Sequence, residues 1–274
     1  MPPMTATSPR ASRPYRLGVG SLNLLIRYAA EQGVPARQCL AGTGLDVAML
    51  SDPLAEIEPA QELQVIRTLI DALGDPFAHG FDVGLRYHLT AYGIWGLGIM
   101  SSATVAEAAE RGLRYAGAAF TFINYRINAG PDAIWLEMDH AHLPDGLCEF
   151  LIARDLGSIF AIHQELLPGT PINVREVFLR IPHSAGMARL EAVFDCKVAT
   201  DQARSRLRID PRALRIPLPR ANATTAQFCE NHCRELLARR LVEPSLAERV
   251  RERLLGSGLP LPNFSFGRIL MFNL

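Results

Sequence analysis

Aromatic rings gather in the middle of the sequence: Tyr87, Tyr92, Trp95, Phe120, Phe122, Tyr125 and Trp135. A pocket for a small molecule is mostly apolar, with a few polar groups that orient what it holds. Such rings also fill the core between helices and a hairpin, so each has a packing role and a binding role open to it. The tyrosines are the better binding candidates, because a phenol needs a hydrogen-bond partner and can lend it to a ligand. Arg126 and His140 stand close by in sequence and could meet an acidic head group. The candidate ligand-binding set is therefore Tyr87, Tyr92, Trp95, Phe122, Tyr125, Arg126, Trp135 and His140.

Catalytic and metal chemistry find less support. The sequence contains no G-x-S-x-G elbow, no G-x-x-x-x-G-K-[ST] phosphate loop and no H-E-x-x-H pair. Gly93, Gly96 and Gly98 have the wrong order for a dinucleotide fingerprint and lack a surrounding βαβ unit, so tight packing near the rings is their expected role. Cys229, His232 and Cys233 lie within about one helical turn, which does not enclose a tetrahedral metal without a distant fourth ligand. His140 and His142 lack convergent carboxylates or thiols, and His163 sits in an apolar run as a core histidine. The expectation is no enzyme, no cofactor and no metal.

Composition narrows the class further. The net charge is zero, where a domain that grips DNA phosphates usually carries a basic face. The five cysteines are odd in number and scattered, which fits a reducing cytoplasm better than a disulfide framework. Neither a secretory signal nor an apolar run long enough to span a membrane is present, so no membrane partner is expected.

The elements that must position the rings follow from periodicity. Ser21 is placed to cap a helix with Leu22, Leu25, Ile26 and Ala29 on one face, stopped at Gly33-Val34-Pro35. A second helix follows Pro59 and ends at Gly74-Asp75-Pro76, while the glycine-rich and aromatic stretch 80–102 yields no element. Thr104 and Glu107 form a capping box before another helix. Alternation over 120–127 and 134–139, with a Gly130-Pro131-Asp132 turn between, predicts a hairpin with two unlike faces. A long buried helix spans about 147–167, followed by a strand over 174–181, a short helix over 184–194 and a strand around 207–209. Thr224 and Gln227 open a helix running to about Leu241, with Cys229, Cys233, Leu236, Leu237 and Leu241 as a stripe. That stripe suits a symmetry mate or the helix's own domain equally well. The fold class is α+β: N-terminal helices, then an antiparallel hairpin-rich sheet packed with helices, then C-terminal helices.

In order and spacing, several of these landmarks resemble the arabinose-binding-type regulatory domain of AraC/XylS transcription regulators. They are Gly33-Val34-Pro35, Gly44-Leu45, Leu50-Ser51-Asp52-Pro53, Gly74-Asp75-Pro76, Tyr92-Gly93 through Gly98, and Met100-Ser101-Ser102-Ala103-Thr104-Val105. Phe194-Asp195-Cys196-Lys197-Val198 and Pro217-Leu218-Pro219 extend the likeness, which runs from about Leu17 to Arg240. The resemblance implies a cytoplasmic sensor of a small organic effector. It also tips the stripe towards a homodimer seam, because such domains commonly pair through helices near their ends. A disordered tail is expected over 1–16, the sensing domain over 17–222 and a helical dimerisation or linker segment over 223–255, with a second helix at 246–255. The family's two helix-turn-helix units would follow, but 256–274 offers only a short tail without a capped recognition helix. DNA contact is therefore expected only through a domain not present in this chain. An enzyme acting on a small apolar ligand, or a partner that silences full-length relatives by pairing with them, are the alternatives.

Overall fold

The computed structural model describes residues 5–7, 16–52, 55–144 and 146–240. In chain order the elements are β1 (Thr5–Thr7), β2 (Leu17–Gly18), α1 (Gly20–Glu31), α2 (Ala36–Cys39), β3 (Glu56–Ile57), α3 (Pro59–Leu73), α4 (Pro76–Gly84), α5 (Ile94–Met100) and α6 (Val105–Arg114). There follow β4 (Asn124–Ala129), β5 (Ile134–Asp139), α7 (Cys148–Leu166), β6 (Val174–Phe178), α8 (Met187–Phe194), β7 (Lys197–Ala199), β8 (Ser205–Ile209) and α9 (Ala223–Arg240). The α+β expectation holds, with helices packed against sheet.

Local chemistry explains most boundaries. Gly74, at φ +69°, ends α3, and the Asp75 carboxylate then accepts from the Ala78 N–H to start α4. Thr104 caps α6 as expected, its hydroxyl accepting from the Glu107 N–H, but the Glu107 carboxylate reaches back one residue further, to the Ala103 N–H. Two expected caps are corrected. Ser21 lies inside α1, buried, with its hydroxyl turned to Glu62 and Tyr87. For α9 the cap is Asn222, whose side chain accepts from the Thr225 N–H, so Thr224 falls within the first turn.

The six-stranded sheet has the order β1-β4-β5-β8-β6-β7. Its neighbours pair antiparallel except β6 and β7, which run parallel and are joined through α8; a parallel pair needs such a crossover. Thr5–Thr7, within the stretch expected as a disordered tail, forms the edge strand beside β4. Tyr125 and Ile127 on β4, and Ile134, Leu136 and Met138 on β5, are buried on the inner face, while Arg126 and Asp139 point out.

The stretch 80–102 holds more order than periodicity revealed: the end of α4, a 3-10 turn (Leu89–Tyr92) and α5. Its glycines explain why. A methyl group on Gly84 would lie 2.1 Å from the Arg154 carbonyl oxygen, and one on Gly157 would lie 2.5 Å from that of Phe81. So α4 and α7 cross with their backbones nearly touching, an approach only glycine allows.

At the far end α9 lies on α5. Cys229 and Cys233 are buried, a methyl on Gly98 would meet the Cys229 Cβ at 3.0 Å, and one on Gly117 would meet Leu237 at 3.0 Å. Glu230 of the same helix accepts from Tyr115 Oη (2.9 Å) and Arg114 Nη1 (3.1 Å). Of the stripe expected as a dimer seam, Cys229 and Cys233 are thus buried on the protomer's own domain, where the small residues Gly98 and Gly117 make room for the helix. Leu236 and Leu237 are half-buried. Leu241 and the expected helix at 246–255 lie outside the described residues.

Candidate functional site

Between α5, α6, α7 and the inner face of β4 and β5 lies a cavity of about 260 Å³. Its wall on one side is a stack of rings, with Tyr92 4.8 Å from Trp95 and 5.2 Å from Phe120, centroid to centroid. Trp95 is fixed by donating its Nε1–H to the Gly112 carbonyl oxygen (3.2 Å). Ile99, Leu113, Ile127, Leu136, Ile159 and Ile162 supply much of the remaining wall. For scale, a dry cavity of about 150 Å³ accommodates benzene.

One end of the cavity is polar. Arg154, Asp155 and Ser158 come from successive turns of α7, and Thr121 and Tyr125 face them from the strand side. Tyr125 donates to Asp155 Oδ2 (2.7 Å), as does the Thr121 hydroxyl. Arg154 is 1% exposed and each of its nitrogens donates to the protein: Nε to Asp155 Oδ1 (3.2 Å), Nη1 to Glu62 Oε1 (3.1 Å) and Nη2 to the Phe120 carbonyl oxygen (2.8 Å). Ser21 donates to the same Glu62 oxygen (2.6 Å) and its oxygen also lies 2.6 Å from the Tyr87 hydroxyl. The second Glu62 oxygen, buried, has no hydrogen-bond partner. One guanidinium therefore serves two buried carboxylates and ties α1, α3, α7 and the segment before β4 together.

Burial dominates the electrostatics. It pushes the Glu62 carboxyl above the usual carboxylate range, against the pull of Arg154, which lowers it. The phenols of Tyr87, Tyr92 and Tyr125 are raised well above their ordinary value for the same reason, and so remain neutral at any physiological pH. Arg154 is raised despite desolvation by the acidic groups around it, so its charge is permanent.

Of the residues expected to bind a ligand, Tyr87, Tyr92, Trp95 and Tyr125 line this cavity. Phe122 packs behind it, 5.5 Å from the Arg154 guanidinium carbon. Arg126, Trp135 and His140 do not reach it. The two-residue alternation of β4 and β5 sends Arg126 and Trp135 to the outer face, opposite Tyr125 and Leu136. There Trp135 lies under the Arg206 guanidinium at 4.1 Å. His140, its pKa lowered first by burial, is bonded to the Ser205 hydroxyl at 2.8 Å. Arg126 and His140 share a separate hollow with Arg180, Arg204, Glu137 and Asp139.

Sequence reasoning missed Ser21, Glu62, Arg154 and Asp155 as a set. A signal existed: Glu62 falls on the apolar face of α3 with Ile66 and Leu69, and Arg154-Asp155 interrupts the apolar run of α7. A charge aligned with a buried stripe must find a partner inside. Among the described residues, no group of three or more His, Cys, Asp or Glu side chains is placed to hold a metal, and no helix is long and apolar enough to cross a membrane. Burial raises the Cys233 thiol to about 11 and the Cys229 thiol in the same direction.

Comparison with known proteins gives the family. The family model described as the arabinose-binding domain of AraC transcription regulator, N-terminal, matches residues 33–218. An uncharacterized HTH-type transcriptional regulator of Mycobacterium tuberculosis is 30% identical over 250 residues, which is 90% of this chain and 73% of the relative. The ornithine utilization regulator of Pseudomonas aeruginosa is 26% identical over 239 residues, 84% of this chain and 68% of that one. In fold, the chain is similar to the crystal structure of the transcriptional regulator CdpR from Pseudomonas aeruginosa, with a TM-score of 0.56 at 18% identity, covering 88% of this chain and 80% of the other.

Proposed function

The chain belongs to the AraC family of transcription regulators and carries the family's ligand-binding regulatory domain; from that premise we propose that the cavity beside Asp155 is where a small organic effector binds. The observation that carries the reading is an apolar, ring-walled cavity ending in a fixed set of polar groups, the composition of a small-molecule site. A second feature supports a sensor over a store. Trp95 lines the cavity from α5, while Gly98 on that same short helix seats Cys229 of α9. An effector that prefers one position of α5 biases the seat of α9, and a differential preference of that kind is what a switch needs.

Homodimerisation belongs to the same proposal. With the inner stripe of α9 covered, the contact between protomers uses what the helix leaves outside, where Phe228 is 53% exposed beside His232. A transcription regulator acts where its DNA lies, so the proposed site of action is the cytoplasm.

A thermal-shift screen of fatty acids, aromatic acids, alcohols and amines tests the binding site. A ligand specific to the folded state adds about 2.7 kcal/mol at a hundredfold excess over its Kd. Hits are expected to weaken in Trp95→Ala and to vanish in Ala109→Trp, which fills the cavity. Hits untouched by both substitutions refute the site, and chemical conversion of the bound molecule refutes the sensor.

A further inference from the structure

We infer that the effector is an amine: an apolar tail with a positively charged, hydrogen-bond-donating head held against Asp155. The inference rests on the cavity's being the effector site, and it follows from a count of charges. Among the described residues that line the cavity, Arg154 is the sole lysine or arginine, and Asp155 is the sole acid. Three of the five N–H donors of Arg154 are already used, by Asp155, Glu62 and a backbone carbonyl. Behind it Glu62 is a second buried carboxylate, with one oxygen lacking any partner. The polar end thus holds two carboxylates around one guanidinium before any ligand arrives.

A carboxylate head would add a further acid to that space with no second lysine or arginine in the lining to meet it, and an uncompensated buried charge is costly. An ammonium would give each carboxylate a cation of its own, with Asp155 serving the ligand and Arg154 turning more fully to Glu62. The donors also run in this direction. The Thr121 and Tyr125 hydroxyls and the Arg154 Nε all point their hydrogens at Asp155, and Ser158 donates to a backbone carbonyl at 3.0 Å. His163, the other basic residue of the lining, stands about two turns further along α7, where it is lowered by burial and bonded to the Thr170 carbonyl oxygen, so it brings no positive charge to Asp155. Tyr92, Trp95 and Phe120 also line the cavity, and an aromatic face attracts a cation and not an anion.

The test uses the whole chain and three probes that share a tail: 4-phenylbutylamine, 4-phenylbutanol and 4-phenylbutanoate, each titrated at pH 7 by calorimetry. The amine is expected to bind about tenfold or more tightly than the carboxylate, the size of one charge-assisted hydrogen bond, with the alcohol between. Asp155→Asn is expected to cancel the amine's advantage and to improve the carboxylate, because Arg154 is then released from one of its two anions. Should that variant fail to fold, the wild-type order of the three heads decides alone. Equal binding of the three, or preference for the carboxylate, overturns the amine while leaving the cavity intact, provided Ala109→Trp abolishes binding. Binding that survives Ala109→Trp, or no binding by any probe, overturns the cavity as effector site and the amine with it.

Discussion

Replacing Arg154 by methionine removes the cation from the centre of the buried cluster while keeping most of its bulk. Glu62 and Asp155 then face each other's surroundings without a positive charge, and Phe120 loses a donor to its carbonyl. Removing one partner of a buried ion pair typically costs about 3–5 kcal/mol. At about 2–4 °C per kcal/mol for a chain of this order of size, the melting temperature should fall by roughly 6–20 °C. The pH dependence separates this cause from simple loss of packing. Burial already raises the Glu62 carboxyl, and Arg154 is the strongest influence holding it down, so the substitution raises it further. An acid whose folded pKa lies above its unfolded value, about 4.3 for Glu, binds more protons folded than unfolded. Its contribution is fully present below the unfolded value and is lost as pH rises through the folded one. The deficit of Arg154→Met relative to wild type should therefore be larger at pH 8 than at pH 5. Urea unfolding of both proteins at the two pH values measures it, and adding Glu62→Gln should recover part of the loss at pH 8. A deficit equal at both pH values, or larger in acid, refutes the charge argument and leaves only packing.

Gly84→Ala should destabilise the fold by at least about 1–3 kcal/mol, because its methyl would stand 2.1 Å from the Arg154 carbonyl oxygen; unchanged urea unfolding would mean that α4 and α7 are free to part. Leu237→Asp should loosen α9 from α5, seen as faster amide exchange across 223–240, with no change in sedimentation; a variant that stays protected but splits a dimer would restore the stripe as a seam between protomers.

Much of the scaffold was legible because its signals are local. Gly74-Asp75-Pro76 stops α3 by backbone geometry alone, Thr104 caps α6 with a neighbour three residues on, and the alternation over 120–127 and 134–139 marks the hairpin, although its first strand runs over 124–129. Alternation also carried information that the ligand-binding set ignored: Tyr125 and Arg126 are consecutive in a strand, so their side chains leave it on opposite faces. The helical stretch 80–102 was illegible for the opposite reason. Its glycines weaken helix propensity, and what stabilises α4 is the approach of α7, some seventy residues later in the chain.

The same distinction governs α9 and the cluster beneath the cavity. Period and stripe reveal that Cys229, Cys233 and Leu237 share a face, but a stripe does not name its partner. The partner is written elsewhere, in the absence of side chains at Gly98 and Gly117, and no local rule joins those positions. Glu62, Arg154 and Asp155 are hidden in this way as well, since Glu62 and Arg154 meet only after α3 and α7 have packed. What a sequence does announce is the anomaly: a charge in register with a buried face. Such a charge costs stability unless it is paired, so its presence in α3 and again in α7 argues for a meeting inside the core. The cavity lies where that meeting places its polar end. The groups that sequence left unassigned are thus the ones that give the cavity its charge and, in the proposal made for it, its choice of effector.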